Sequence, residues 1–200
     1  MRVNWRRREL HVKIVYYGPP MAGKTTNLEQ LQRMIAPQHR SELLSLDTEG
    51  DRTLFFDLMQ VSLGKVGGLA PRISLYTVPG QVRYQHLRSM VLRGADGVVF
   101  VADSDANRLE ENRALWQQML RHLASHGLQD IPIVVQANKR DLPNALALDE
   151  LREALHLPEE IPMFPAQASR GLGVRETFMA IVRFVLLQPS SKLTASPSSR

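Results

Sequence analysis

Cysteine is absent from this 200-residue chain. That excludes disulfides, thiolate metal sites, cysteine nucleophiles and prenyl or palmitoyl attachment, and it fits a reducing, cytoplasmic setting. Position 2 is Arg rather than Gly, so myristoylation is excluded too and no lipid anchor is expected. No apolar run approaches the ~18–20 residues that a membrane span needs. The start, Met1-Arg2-Val3-Asn4-Trp5-Arg6-Arg7-Arg8, is basic, but no long apolar stretch follows, so a secretory leader is not expected. Acidic residues are fewer than basic ones, 20 against 25, for a formal charge of +5. A basic balance serves nucleic acid, anionic lipid or simply a solvated surface. Arg6-Arg7-Arg8 is the only tight basic cluster, a short patch able to touch a membrane surface or an acidic partner.

What is present is enough for one ordinary domain: 44% of residues are hydrophobic and 22% charged. Apolar periodicity alternates between two kinds of segment. Residues 12–17, 53–61, 73–78, 98–101, 131–135 and 162–168 read as six strands. Residues 98–101 (Val-Val-Phe-Val) are continuous and apolar, the pattern of a strand buried on both faces. Gly64, Gly67 and Gly68 mark a hairpin-like turn between the second and third strands. Leu28, Leu31, Met34 and Ile35 recur at helical spacing, as do Leu115, Met119 and Leu123, then Leu148, Leu151 and Leu155, then Val174, Phe178, Ile181, Val182 and Val185. The order predicts an α/β fold with a mostly parallel six-stranded sheet and helices on both faces. Residues 1–10 read as a basic segment, 11–188 as the domain, and 189–200, rich in Pro and Ser, as a disordered tail.

Gly18-Pro19-Pro20-Met21-Ala22-Gly23-Lys24-Thr25 matches the P-loop pattern between a predicted strand and a predicted helix. Backbone N–H groups of Gly18, Met21, Ala22 and Gly23, with those opening the helix through Thr26, make an anion nest at a positive helix end. Lys24 is expected to reach the β- and γ-phosphates, and the Thr25 hydroxyl to hold Mg2+.

Asn138-Lys139-Arg140-Asp141 follows the strand at 131–135. The Asp141 carboxylate can accept from guanine N1–H and the 2-amino group together. Adenine offers neither donor, so it leaves a desolvated, unpaired carboxylate and is rejected. Lys139 can lay its stem along the ring or ribose, and Asn138 can bond the base and brace the phosphate loop. Near the end, the Ala168 backbone N–H can donate to guanine O6.

Thr77-Val78-Pro79-Gly80-Gln81 closes the strand at 73–78. The Gly80 N–H can approach a γ-phosphate closely, and Gln81 can orient an attacking water. A polar loop over residues 37–52 precedes Thr53, whose hydroxyl can complete the Mg2+ shell while the γ-phosphate is present. Loss of that phosphate then releases the loop, the logic of an order–disorder switch. Arg52, beside Thr53, can act in cis on transition-state charge.

These motifs, in this order, resemble those of Ras-superfamily small GTPases over residues 11–187. The longer runs Lys13-Ile14-Val15-Tyr16-Tyr17-Gly18-Pro19, Arg52-Thr53-Leu54-Phe55-Phe56-Asp57, Leu75-Tyr76-Thr77-Val78-Pro79-Gly80-Gln81-Val82 and Asn138-Lys139-Arg140-Asp141-Leu142-Pro143 resemble bacterial gliding-motility GTPases of the MglA type. The resemblance implies a small G-domain of the P-loop NTPase class, cycling between GTP and GDP with Mg2+ as a polarity or motility switch. It implies a monomer that binds effectors in its GTP state, is recruited to a cell pole by partners, and has a roadblock-domain homodimer as its activating partner. It also implies that Arg52 and Gln81 are the catalytic pair, with Thr25 and Thr53 on the metal. Two positions depart from the pattern. Thr77 stands where Ras proteins carry Asp, as in the MglA type, which leaves open whether Asp57 compensates. Pro20 stands where the related family has Gly; it offers no N–H and crowds the γ-phosphate. Pro20 and Thr77 support a second reading, a GTP-binding module with negligible turnover. The basic balance supports a third, a P-loop protein that binds nucleic acid, although the motifs themselves call for none.

Overall fold

The computed structural model describes residues 1–46, 56–79, 85–188 and 194–195. Its frame is a sheet ordered β3-β4-β5-β2-β6-β7-β8, in which β2 (Glu9–Tyr17), β5 (Ala70–Thr77), β6 (Gly97–Asp103), β7 (Ile133–Asn138) and β8 (Met163–Pro165) run parallel. β4 (Phe56–Ser62) pairs antiparallel with β5, and those six strands are the predicted sheet. Three short strands extend it. β3 (Leu44–Leu46) lies antiparallel on the β4 edge, β1 (Arg2–Asn4) folds back on β2 as a hairpin, and β9 (Thr194–Ala195) lies parallel to β1. Six strands is therefore corrected to nine among the described residues. Residues 2–4 and 9–10, set apart by charge as part of a separate basic segment, belong to the sheet. Of the tail predicted as disordered, residues 194–195 form a strand.

Period-two alternation explains how one strand serves two cores. Along β2, Val12, Ile14 and Tyr16 join one cluster, while Val15 and Tyr17 join the other. The first cluster is closed by α1 (Lys24–Met34) and α5 (Val174–Leu186), through Leu28, Leu31, Phe178, Ile181 and Val185. The second is closed by α2 (Gln85–Leu92), α3 (Leu109–Ser125) and α4 (Leu148–Ala154), through Leu92, Trp116, Met119, Leu123 and Leu151. Phe100 meets Trp116 edge to face at 5.1 Å. All seven residues of β6 are buried, as its unbroken apolar run predicts. Each buried Val or Phe there contributes about 1.5–3 kcal/mol.

After β2 the chain builds one side of the sheet, β3 to β5, and with β6 it crosses to the other. The carboxyl end of β2 is thus a topological switch point, where open α/β sheets bind ligands. A buried polar bolt tightens this end. Asn27 on α1 and Gln136 on β7 exchange amide bonds of 2.7 and 2.9 Å, and Gln136 Nε2 also donates to Thr177 Oγ1 on α5 at 3.1 Å.

Candidate nucleotide site

The phosphate loop leaves β2 at the switch point and enters α1. Gly18 has φ +148°, and a Cβ there would sit 2.2 Å from the Val101 carbonyl oxygen. Gly23 has φ +101°, and its Cβ would sit 2.3 Å from Asn138 Nδ2. Only glycine lets the loop pass so close to β6 on one side and to the base motif on the other. Met21 adopts φ +60° with its side chain 83% exposed at the rim.

Lys24 is buried and points back into the loop, donating from Nζ to the carbonyl oxygens of Gly18 at 3.0 Å and Pro19 at 2.6 Å. Burial pushes its pKa down to about 7; the Arg88 charge lowers it further and Asp57 opposes both. A polyphosphate in the loop offers this ammonium the counter-charge that two neutral carbonyls cannot.

Three hydroxyls converge on one carboxylate. Thr25 Oγ1 donates to Asp57 Oδ2 at 2.6 Å, Thr77 Oγ1 to the same oxygen at 2.9 Å, and Ser45 Oγ to Oδ1 at 2.8 Å. The Asp57 N–H in turn donates to Thr77 Oγ1 at 2.8 Å. The antiparallel pairing of β4 with β5 brings Asp57 to the place left short of a carboxylate by Thr77. Carboxylate and hydroxyl oxygens are the hard donors that Mg2+ takes, and one or two protein ligands suffice when substrate phosphates supply others. Among the described residues no group of three or more His, Cys, Asp or Glu gathers into an all-protein metal cage. The donor set therefore fits Mg2+ carried with a nucleotide, held by Thr25 and Asp57.

At the other end, Asn138 Nδ2 donates to the Ala22 carbonyl at 2.7 Å, and its Oδ1 accepts from the Ala168 N–H at 2.8 Å. One buried amide thus clamps the phosphate loop to the loop after β8. The Ala168 N–H, expected to face guanine O6, is given to Asn138 instead. Lys139, at φ +63°, ties its Nζ to the buried Asp103 at 2.7 Å and lines the same cleft as Asn138. Asp141 is exposed, and its carboxylate has no protein partner among the described residues. These groups, with Gly23, Thr26 and Ser169, line a cleft of ≈ 220 Å³. A planar base entering it meets a carboxylate that has no protein partner among the described residues.

Gly18, Met21, Ala22, Gly23, Lys24, Thr25, Thr26, Asn138, Lys139, Asp141 and Ala168 thus meet around a single cleft and loop. Arg52, Thr53, Gly80 and Gln81 lie outside the described residues. Two arginines carry no motif. Arg108, ahead of α3, donates to the Pro20 carbonyl at 2.9 Å and pairs with Glu111 at 2.6 Å. Arg88 on α2, buried, donates to the Pro79 carbonyl at 3.2 Å and to Gln118 at 2.8 Å. Arg108 braces the phosphate loop from 88 residues away and Arg88 the end of β5 from nine, and no motif announces either contact.

The comparisons with known proteins agree with this geometry. The model of the ADP-ribosylation factor family matches residues 2–185. The mutual gliding-motility protein MglA of Myxococcus xanthus is 47% identical over 188 residues, covering 93% of this chain and 96% of that protein. The human ADP-ribosylation factor-like protein 4C is 30% identical over 184 residues, covering 89% and 88%. The human ADP-ribosylation factor-like protein 4A is 32% identical over 147 residues, covering 73% and 66%. The chain belongs to the ADP-ribosylation factor family and is a small GTPase of the MglA type.

Proposed function

We propose that this GTPase is a Mg2+-dependent switch that controls cell polarity or motility by binding partners in its GTP state. The observation that carries the reading is the pairing of two ends on one frame. The Asp57 carboxylate is ringed by Thr25, Ser45 and Thr77 where phosphates arrive, and the unpaired Asp141 waits where a base arrives. The 47% identity to a gliding-motility protein supports the physiological half.

In this reading Lys24 and the loop N–H groups hold the β- and γ-phosphates, and Thr25 and Asp57 hold the metal. Mg2+, when bound, neutralises charge on the phosphate oxygens. Gln81 orients the attacking water and Arg52 stabilises charge on the transferring phosphoryl group, with Thr53 and Gly80 sensing the γ-phosphate. Pro20 offers no N–H at the rim, so turnover is slow until a partner sets Arg52 and Gln81 in place. That partner is proposed to be a roadblock-domain homodimer, and polar recruitment to follow from such contacts.

Single-turnover GTP decay with and without a roadblock-domain partner tests this. Arg52→Ala is expected to retain GTP affinity and lose roughly a thousandfold in stimulated turnover. Stimulated turnover equal to that of the wild type would remove the cis-arginine role.

A further inference from the structure

The basic cluster singled out by charge has no part in the nucleotide site, and the fold gives it a definite setting. Trp5, Arg6, Arg7 and Arg8 form the four-residue turn that joins β1 to β2. All four are exposed, Trp5 to 69%. Arg8 holds a left-handed backbone, φ +52°, where glycine or asparagine is the ordinary choice. None of the three arginines makes an ion pair among the described residues.

A second hairpin tip stands beside the first. The Arg8 carbonyl accepts from the Ala70 N–H at 2.7 Å, which joins the turn to the start of β5. The β4–β5 turn ahead of it is closed by reciprocal backbone bonds between Val66 and Leu69, at 2.8 and 3.1 Å. It presents exposed Lys65 and Val66, the latter 50% exposed. The carboxylate next in sequence, Glu9, is occupied by Arg72 at 3.2 Å and His11 at 3.3 Å. Arg6, Arg7, Arg8 and Lys65, none in an ion pair among the described residues, thus sit on two neighbouring tips with one large amphipathic ring and one exposed aliphatic side chain.

We propose that these paired hairpin tips are a docking surface for an anionic lipid bilayer. Indole seats at the headgroup level of a bilayer, with an apolar body inward and a polar edge outward. Arginines beside it meet lipid phosphates, each strengthening partition roughly fivefold on an anionic surface. A nucleic-acid groove would call for a longer basic track, whereas a single ring at a projecting tip with cations around it matches a planar charged interface. The patch is small, so its hold is weak and reversible, and a second contact is needed for lasting residence. Its place in the fold suits that duty. The tips lie at the amino end of β2 and the phosphate loop at its carboxyl end, about 30 Å away along nine residues of strand. A molecule seated by its hairpins leaves the nucleotide mouth free for partners.

Tryptophan emission and vesicle flotation test this on the GDP-loaded 200-residue chain. The chain has two tryptophans, and Trp116 is already buried at 2% exposure, so any blue shift on binding reports Trp5. Flotation with phosphatidylcholine–phosphatidylglycerol vesicles but not with pure phosphatidylcholine is expected, with a blue shift, and with loss of both as salt is raised. Replacing Arg6, Arg7 and Arg8 together by Ala is expected to weaken partition roughly a hundredfold. Trp5→Phe is expected to abolish the shift while flotation on anionic vesicles persists. Equal flotation on neutral and anionic vesicles would overturn the proposal. So would undiminished binding of the triple variant, or flotation without a shift. Salt-sensitive capture of single-stranded RNA with vesicles ignored would assign the patch to nucleic acid instead.

Discussion

The two ends of the nucleotide site are built in opposite ways. At the guanine end the polar groups already have the partners that a ligand needs them to keep. Asn138 clamps two loops, Lys139 is tethered to Asp103, and Asp141 alone stands open. At the phosphate end the polar groups satisfy one another in ways that a ligand must undo. Lys24 donates to two carbonyls of its own loop, and Thr25 donates to the carboxylate beside which it would share a metal ion. The base pocket is therefore preorganised, and base identity is read at little reorganisation cost. The phosphate end exchanges bonds whenever a nucleotide enters, the property expected of the half that must distinguish one phosphate more or less.

The largest expected effect would break the fixed end. Asp141→Asn keeps the shape of the cleft and replaces a pure acceptor by an amide. It is expected to cut discrimination of GTP against ATP by roughly a thousandfold, with a gain for xanthosine triphosphate, measured by competition against a fluorescent guanine nucleotide. Unchanged competition would mean that Asp141 does not read the base.

The exchanging end is next. Asp57→Asn is expected to raise the Mg2+ concentration needed for tight nucleotide binding about ten- to a hundredfold. Affinity in excess chelator should stay as it was. An unaltered Mg2+ titration would show that Asp57 merely ties β3 and β5 to α1.

A smaller effect concerns the frame shared by both ends. Gln136→Leu leaves the amide of Asn27 and the hydroxyl of Thr177 short of a buried partner. It is expected to cost about 2 kcal/mol and lower Tm by roughly 4–8 °C. Thermal unfolding of the GDP-bound protein checks this, and an unmoved Tm would contradict the bolt.

The smallest effect separates the ends by pH. Empty, Lys24 titrates near 7, well below ordinary lysine, because it is buried. Phosphates restore its charge, so binding is expected to take up a proton above about pH 7 and none well below it. GDP affinity should be flat under neutral conditions on the acid side and fall by up to about tenfold per pH unit above. Calorimetry in buffers of different ionisation enthalpy measures the uptake directly. No uptake at alkaline pH would place Lys24 in its charged form before the nucleotide arrives.

Much of the site, at both ends, was legible because its residues are consecutive. Gly18 to Thr25 and Asn138 to Asp141 are short runs whose backbone and side chains act together, so spacing along the chain equals spacing in the site. Asp57 was harder: it lies 32 residues from Thr25 and 20 from Thr77, and the antiparallel register of β4 with β5 sets it beside Thr77 while the packing of α1 brings Thr25 to its carboxylate. Arg108 reaches Pro20 across 88 residues, a contact that no local pattern encodes. The β1–β2 hairpin is hidden in the sequence for a different reason. Val3, Leu10 and Val12 face the core, but the charged run Arg6-Arg7-Arg8-Glu9 between Val3 and Leu10 interrupts the apolar alternation. Helix α2, eight residues long, was too short for periodicity to declare it.

The most direct test of the account is to incubate the purified protein with Mg2+ and either GTP or ATP and follow bound and converted nucleotide by chromatography. The account predicts that GTP is retained and slowly converted to GDP while ATP is neither bound nor hydrolysed. Equal retention of ATP would contradict it, because an unpaired Asp141 at the end of a fixed cleft leaves adenine no acceptable place.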